Sequence, residues 1–265
     1  MKITLLNLLL RWRAAVLLAA LLVAVAGDVA VARTGAGLGW MLAFSGLALV
    51  PLLSAIPVIR TCRPATLVAR PGVPAFDVPV SPGVVLLAAG VTLVVGRNLS
   101  GIVRDQLAYP SDAWFTAGFG LLWAAMLGAV WTRALRGAGL RLRPDGIEEH
   151  QFFGSILVPW SALETPRSAL PLGEHQIALF LADPGAVRRR GLRSRNVTTL
   201  PAIGVDAEFL ARAVHEYANR PDLRPAIGSP EELARFLAIP QIARLSDTSA
   251  ACRNTGSGTP AAGCL

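Results

Sequence analysis

Charge is scarce in this chain. Only 16% of its 265 residues are Asp, Glu, Lys or Arg, against roughly 25% in ordinary globular domains. A wholly water-soluble protein does not fit that deficit, and apolar spans account for it. Lysine is almost missing: of 25 basic residues all but Lys2 are Arg. Beside abundant Ala, Gly and Pro this reads as GC-rich codon bias, so Arg content alone says little about function. Cysteine is limited to Cys62, Cys252 and Cys264. Their number and spacing give no disulfide framework and no metal motif, and a reducing compartment is the simplest setting.

Other absences narrow the chemistry. There is no GxSxG, no P-loop and no GxGxxG between a strand and a helix. His150, His175 and His215 are scattered over strand, loop and helix without ligand spacing, which argues against a metal site. Glu148 and Glu149 are neighbours on a strand, so they face opposite sides and do not make an acid/base pair. No Asp/Glu/His relay or pair of broken helices points to a pump or transporter. The reading is therefore a protein that is not an enzyme and needs no cofactor and no metal.

What is present is long apolar runs. Segments at about 14–32, 38–59, 78–96 and 114–132 are each long enough, at 1.5 Å per helical residue, to cross a roughly 30 Å hydrocarbon core. Pro51 and Pro57 are expected to kink or shorten the second, and Arg97 to limit the third. Ala30-Val31-Ala32 also resembles a cleavage site, so the first run has a signal peptide as its alternative reading. One set of loops holds Lys2, Arg11, Arg13, Arg60, Arg63, Arg70, Arg133 and Arg136; the opposite set holds Arg33, Arg97 and Arg104. Eight against three places both termini in the cytoplasm of a multi-pass plasma-membrane protein. Asp28 and Arg97 both fall toward the outer side, where an intramembrane ion pair is geometrically allowed and snorkelling of each is the plainer reading.

The period changes after Trp131. Residues 133–240 carry fourteen Arg against twelve acids, nearly balanced, which argues against a nucleic-acid partner. Leu140 and Leu142 alternate with Arg141 and Arg143, and Pro144-Asp145-Gly146 is a turn. IEEHQFF (147–153), SILVPW (155–160), QIALFLA (176–182) and VTTL (197–200) follow as strands. Asp206 caps an amphipathic helix with Phe209, Leu210, Ala213, Val214 and Tyr217 on one stripe. Ser229-Pro230 with Glu232 is a capping box opening a short second helix. The expected core is Leu140, Leu142, Phe153, Val158, Trp160, Leu179, Leu181, Phe209 and Val214. The expected organisation is a cytoplasmic N-terminus (1–13), a four-span region (14–132), a domain at 139–220, a short helical extension (221–240) and a disordered tail (241–265).

A half-open β-meander closed by one helix is the outline of a pleckstrin-homology-like barrel. LRLRPDGIEEH (140–150), VPWSAL (158–163) and the segment 205–233, with Tyr217, Pro221, Arg224 and Ile227-Gly228 in succession, resemble a family of bacterial integral membrane proteins. In that family a set of spans precedes a PH-like domain. The resemblance covers about residues 139–238. It implies a membrane α-helical bundle of four transmembrane helices followed by an α+β PH-like domain, an antiparallel barrel or sheet capped by a C-terminal helix. It implies no activity.

One local feature of the soluble part is strongly charged. Arg188, Arg189, Arg190, Arg193 and Arg195 fall within eight residues, in what reads as a loop between strands. Near a cytoplasmic leaflet such a run is drawn to anionic headgroups; its plain alternative is a solvated loop. No aromatic residue interleaves it as a nucleic-acid platform requires. The function expected is a membrane-anchored interaction module that binds membrane lipids or a protein partner. The alternatives are a scaffold subunit of a membrane complex and, with no polar path in the spans, a transporter or channel component.

Overall fold

The structure is a computed structural model that describes residues 8–35, 38–70, 72–108, 113–137, 139–151, 154–191 and 198–239. The expected disordered tail, 241–265, lies outside the described residues.

Four helices are long and apolar enough to cross a membrane. They are α1 (Arg13–Thr34), α2 (Leu38–Thr61), α3 (Pro82–Ala108) and α4 (Ala113–Arg136). Helix α2 runs through Pro51 and Pro57 without a break. The third run departs most from its expected limits. Residues 78–81 are not helical, and α3 continues through Arg97 to Ala108. Pro82 explains the start, because its missing N–H and fixed φ suit the first helical position.

Helix α3 packs against α1, α2 and α4 and is the centre of the bundle. Glycine allows the close approach. A side chain at Gly83 or Gly90 would run into Ile59 or Leu52 of α2, and one at Gly96 into Ala24 and Leu21 of α1. The Trp131 indole N–H donates to Thr92 Oγ at 2.9 Å, tying α4 to α3.

The segment between α2 and α3 is no passive loop. It forms β1 (Val68–Ala69) and β2 (Phe76–Asp77), and β2 pairs with β3 (Leu140–Arg143), the first strand after α4. The expected single span region, 14–132, is thus interrupted by part of the C-terminal domain. Alternation could not reveal these strands, because each is two residues long and lies among prolines.

Strand β3 continues through β4 (Gly146–Gln151) to β5 (Gly154–Pro159), and β5 pairs with β8 (Arg188–Gly191). The result is a six-stranded antiparallel sheet in the order β1-β2-β3-β4-β5-β8. A second sheet holds β6 (Ala169–Pro171), β7 (Gln176–Leu179) and β9 (Thr199–Pro201) in the order β6-β7-β9. Strand β7 stops short of the expected 182, and β9 sits later than 197–200. Helix α5 (Ala207–Asn219) packs on β6 and β7. Its cap is the expected one: Asp206 accepts from the Phe209 N–H at 2.8 Å.

The core joins both sheets, α5 and α6 (Pro230–Ala238). Leu140, Leu142, Val158, Trp160, Leu179, Phe209 and Val214 are buried in it. Leu181 is only partly buried, because it lies beyond β7 and makes a single bridge to Leu163. Phe153 lies outside the described residues. Tyr217 is fully buried at the centre, its ring 6.2 Å from Phe76, 6.2 Å from Trp160 and 6.0 Å from Phe236. The ring cluster thus draws on the inter-span segment and on α6. Residues 221–239 belong to this core rather than to a separate extension, since Ile227 and Phe236 are each 1% exposed.

Candidate functional site

The arginine run is a strand where a loop was expected. Arg188, Arg189 and Arg190 lie in β8, every residue of which is exposed; Arg193 and Arg195 lie outside the described residues. Strand β8 pairs with β5 and is the last strand of its sheet. Charged side chains at such an edge also discourage pairing with another chain.

Register fixes where the arginines stand. Leu140 pairs with Glu149, Glu149 with Ile156, and Ile156 with Arg189. One row further on, the His150 N–H donates to the Gly139 carbonyl at 2.8 Å, His150 pairs with Ser155, and Ser155 with Arg190. Gly139 follows closely after Arg136, the last residue of α4. The row that ends in Arg190 therefore runs along the end of the sheet nearest the helices. Three strand steps separate β3 from β8, about 14 Å at the usual spacing.

The outer face of the sheet is charged, and its acids are engaged. Asp77 meets Arg70 at 3.4 Å and Arg141 at 2.9 Å. Glu148 meets Arg143 at 3.2 Å and His150 at 3.5 Å. The Glu148 hydrogen bond is the main reason that the Arg143 guanidinium holds its proton more tightly than usual. The row partners of Arg188 and Arg190 are Leu157 and Ser155, both uncharged. Among the described residues Arg188, Arg189 and Arg190 make no ion pair. The edge is therefore a concentration of uncompensated positive charge.

Asp28 and Arg97 lie on the packed helices α1 and α3. Asp28 is 9% exposed and lines a groove with Arg33, Gly96, Leu99 and Ser100, among others. The Arg97 guanidinium stands 5.5 Å from the centroid of the Phe44 ring on α2.

Other polar clusters are structural. Arg224 donates to the Tyr217 and Ala218 carbonyls, each at 2.8 Å, closing the end of α5. Burial lowers its pKa. Glu232 accepts from Arg235 twice at 2.7 Å and from the Tyr217 hydroxyl at 3.1 Å. The Ser229 Oγ accepts from the Glu232 N–H at 3.1 Å, so that half of the expected capping box is present. The Glu232 side chain is turned to Arg235 and Tyr217. Ser168 Oγ lies 3.5 Å from His215 Nδ1, but Ser168 is fully buried and out of reach of a substrate. Glu148 and Glu149 take opposite faces, Glu149 being 1% exposed. Among the described residues no three His, Cys, Asp or Glu side chains converge as a metal site.

These features define a bundle of four long apolar helices that carries a mixed antiparallel α+β domain with one basic edge. Comparison with family models, with curated proteins and with solved structures gives no match.

Proposed function

We propose that the chain is a membrane-anchored, non-enzymatic interaction module. Its four apolar helices cross the plasma membrane with both termini in the cytoplasm. Its PH-like domain hangs under the bilayer and presents β8 to anionic headgroups. The observation that carries this reading is the register that brings Arg190 into the row of Gly139, just beyond the end of α4. The eight-to-three division of basic residues supports the orientation. Two antiparallel sheets with α5 packed on one of them support the PH-like outline. Attraction of basic residues near an anionic surface is about 1 kcal/mol each. That suffices to orient a domain already held by its helices.

The test uses the full chain in lipid nanodiscs, of phosphatidylcholine alone or with added phosphatidylglycerol. Amide exchange over 186–191 is expected to slow in the anionic discs, and the difference to vanish in R188S/R189S/R190S. Equal exchange in both discs would refute the headgroup contact.

A further inference from the structure

We propose that the junction between bundle and domain binds a phosphate group, with the phosphodiester of a lipid headgroup as its source. The lipid source rests on the membrane reading above; the site itself does not involve β8. A cavity of about 40 Å³ lies where α3 begins and α4 ends, lined by Val80, Ser81, Val84, Arg133, Gly137 and Ile203. Ser81 directly precedes Pro82, the first residue of the 27-residue helix α3. A helix start of this kind carries roughly half a positive charge and favours an anion.

Ser81 supplies the independent sign of a ligand. It is 3% exposed, and its Oγ is buried with no hydrogen-bond partner. A serine before a helix usually turns its hydroxyl onto the first-turn amides. Here the Ser81 carbonyl takes the Val84 N–H at 3.0 Å instead. Arg133, in the last turn of α4, also lines the cavity. The other lining side chains, those of Val80, Val84 and Ile203, are aliphatic. A buried water needs two to four polar partners, donors and acceptors together. A helix start, an arginine and a free hydroxyl together suit an acceptor with several oxygens better. The walls are set by close backbone approach: a side chain at Gly137 would come within 3.0 Å of Val80 Cγ2, and one at Gly204 would collide with Pro79 and Ser81.

The experiment is a titration of the full chain in neutral detergent micelles, read by native mass spectrometry. The probes are dihexanoyl phosphatidylglycerol, inorganic phosphate, and dihexanoyl glycerol, which lacks the phosphate. Wild type is expected to bind the phosphatidylglycerol at least about tenfold more tightly than R133Q, with S81A in between. R188S/R189S/R190S should bind as wild type does, so failure of the β8 reading leaves this result untouched. Tight binding of inorganic phosphate alone would keep the site and overturn the lipid source. Equal binding by wild type, S81A and R133Q, or binding of dihexanoyl glycerol equal to that of the phospholipid, overturns the site. Should R133Q unfold, R133K and the near-isosteric S81A carry the comparison.

Discussion

Tyr217 and Glu232 show how a polar pair can sit inside an apolar core. Tyr217 is 0% exposed and Glu232 6%, and the hydroxyl donates to the carboxylate. Burial is the largest cause that raises the Tyr217 pKa above its ordinary value, and the Glu232 charge adds to it. Hydrogen bonds from Arg235, more than any other cause, hold Glu232 below its ordinary value of 4.5. A carboxylate with a depressed folded pKa contributes stability that is complete above its unfolded pKa and is lost as pH falls through the folded one. Thermal unfolding of the full chain in micelles, followed by tryptophan fluorescence, should therefore lose this contribution only below about pH 4.5. Glu232→Gln should lower stability by about 2 kcal/mol at neutral pH, since a hydrogen bond to a charged group is typically worth 1.5–3 kcal/mol. Its deficit against wild type should shrink in acid. A deficit that stays constant from pH 7 to pH 3 would mean that the charge of Glu232 does not matter. The sequence placed Glu232 correctly on a first helical turn. It could not show that the side chain serves Tyr217, because that contact exists only once α6 has folded back over α5.

At the scale of elements, hydropathy does not rank the helices by enclosure, and α4, with the lowest hydropathy at 1.3, is also the least buried at 6%. Mean hydropathy is 2.5 for the best window of α1 and 1.6 for that of α3, yet α3 has the larger buried share, 44% against 17%. Hydropathy sees side-chain type, whereas packing here depends on small residues at helix contacts. Gly90 lies against Leu52, where a side chain would meet the Leu52 Cγ at 2.5 Å. Gly90→Leu is expected to push α2 off α3 and destabilise the bundle by about 1–3 kcal/mol, the usual cost of overpacking. Gly128→Leu, where nothing lies within 4 Å, should have little effect. Resistance to unfolding in mixed micelles compares the two, and equal loss in both would show that crowding at Gly90 is not the cause. The arginine run is the matching case among the strands. Three consecutive arginines carry no two-residue apolar alternation, so the sequence reads as a loop. The strand exists because β5 offers a free edge for its backbone.

For the molecule as a whole, the boundary between bundle and domain is not one junction after α4. Residues 62–81 leave α2, cross the sheet and enter α3, and the domain closes around them. Arg63 pairs with Glu174 at 2.8 Å, which is the main reason the Glu174 pKa is lowered. The Asp206 N–H donates to the Pro64 carbonyl, and the Val78 N–H to that of Leu140. Gly228, at φ 100, lies so close to Pro74 and Ala75 that any side chain would collide. The sequence made the C-terminal domain legible as strands and helices from 140 onward, but not its dependence on a segment some sixty residues earlier. That dependence is large. Leu67, Phe76 and Val78 are 3%, 0% and 5% exposed in the shared core. Truncation of a buried Phe alone costs about 3–5 kcal/mol, and a whole domain is stable by only about 5–15 kcal/mol. Removing all three, along with the strand that covers the free edge of β3, consumes most of that margin. A fragment of residues 137–239 should therefore fail to fold, giving poorly dispersed amide resonances and no cooperative melting. Val80 lies beside Gly137, so a short Gly/Ser link from residue 80 to residue 137 can replace α3 and α4. Residues 62–80 joined in this way to 137–239 should fold cooperatively, and Phe76→Ala in that fusion should return it to the unfolded state. If 137–239 alone melts cooperatively, the inter-span hairpin is an accessory of the domain rather than a part of it.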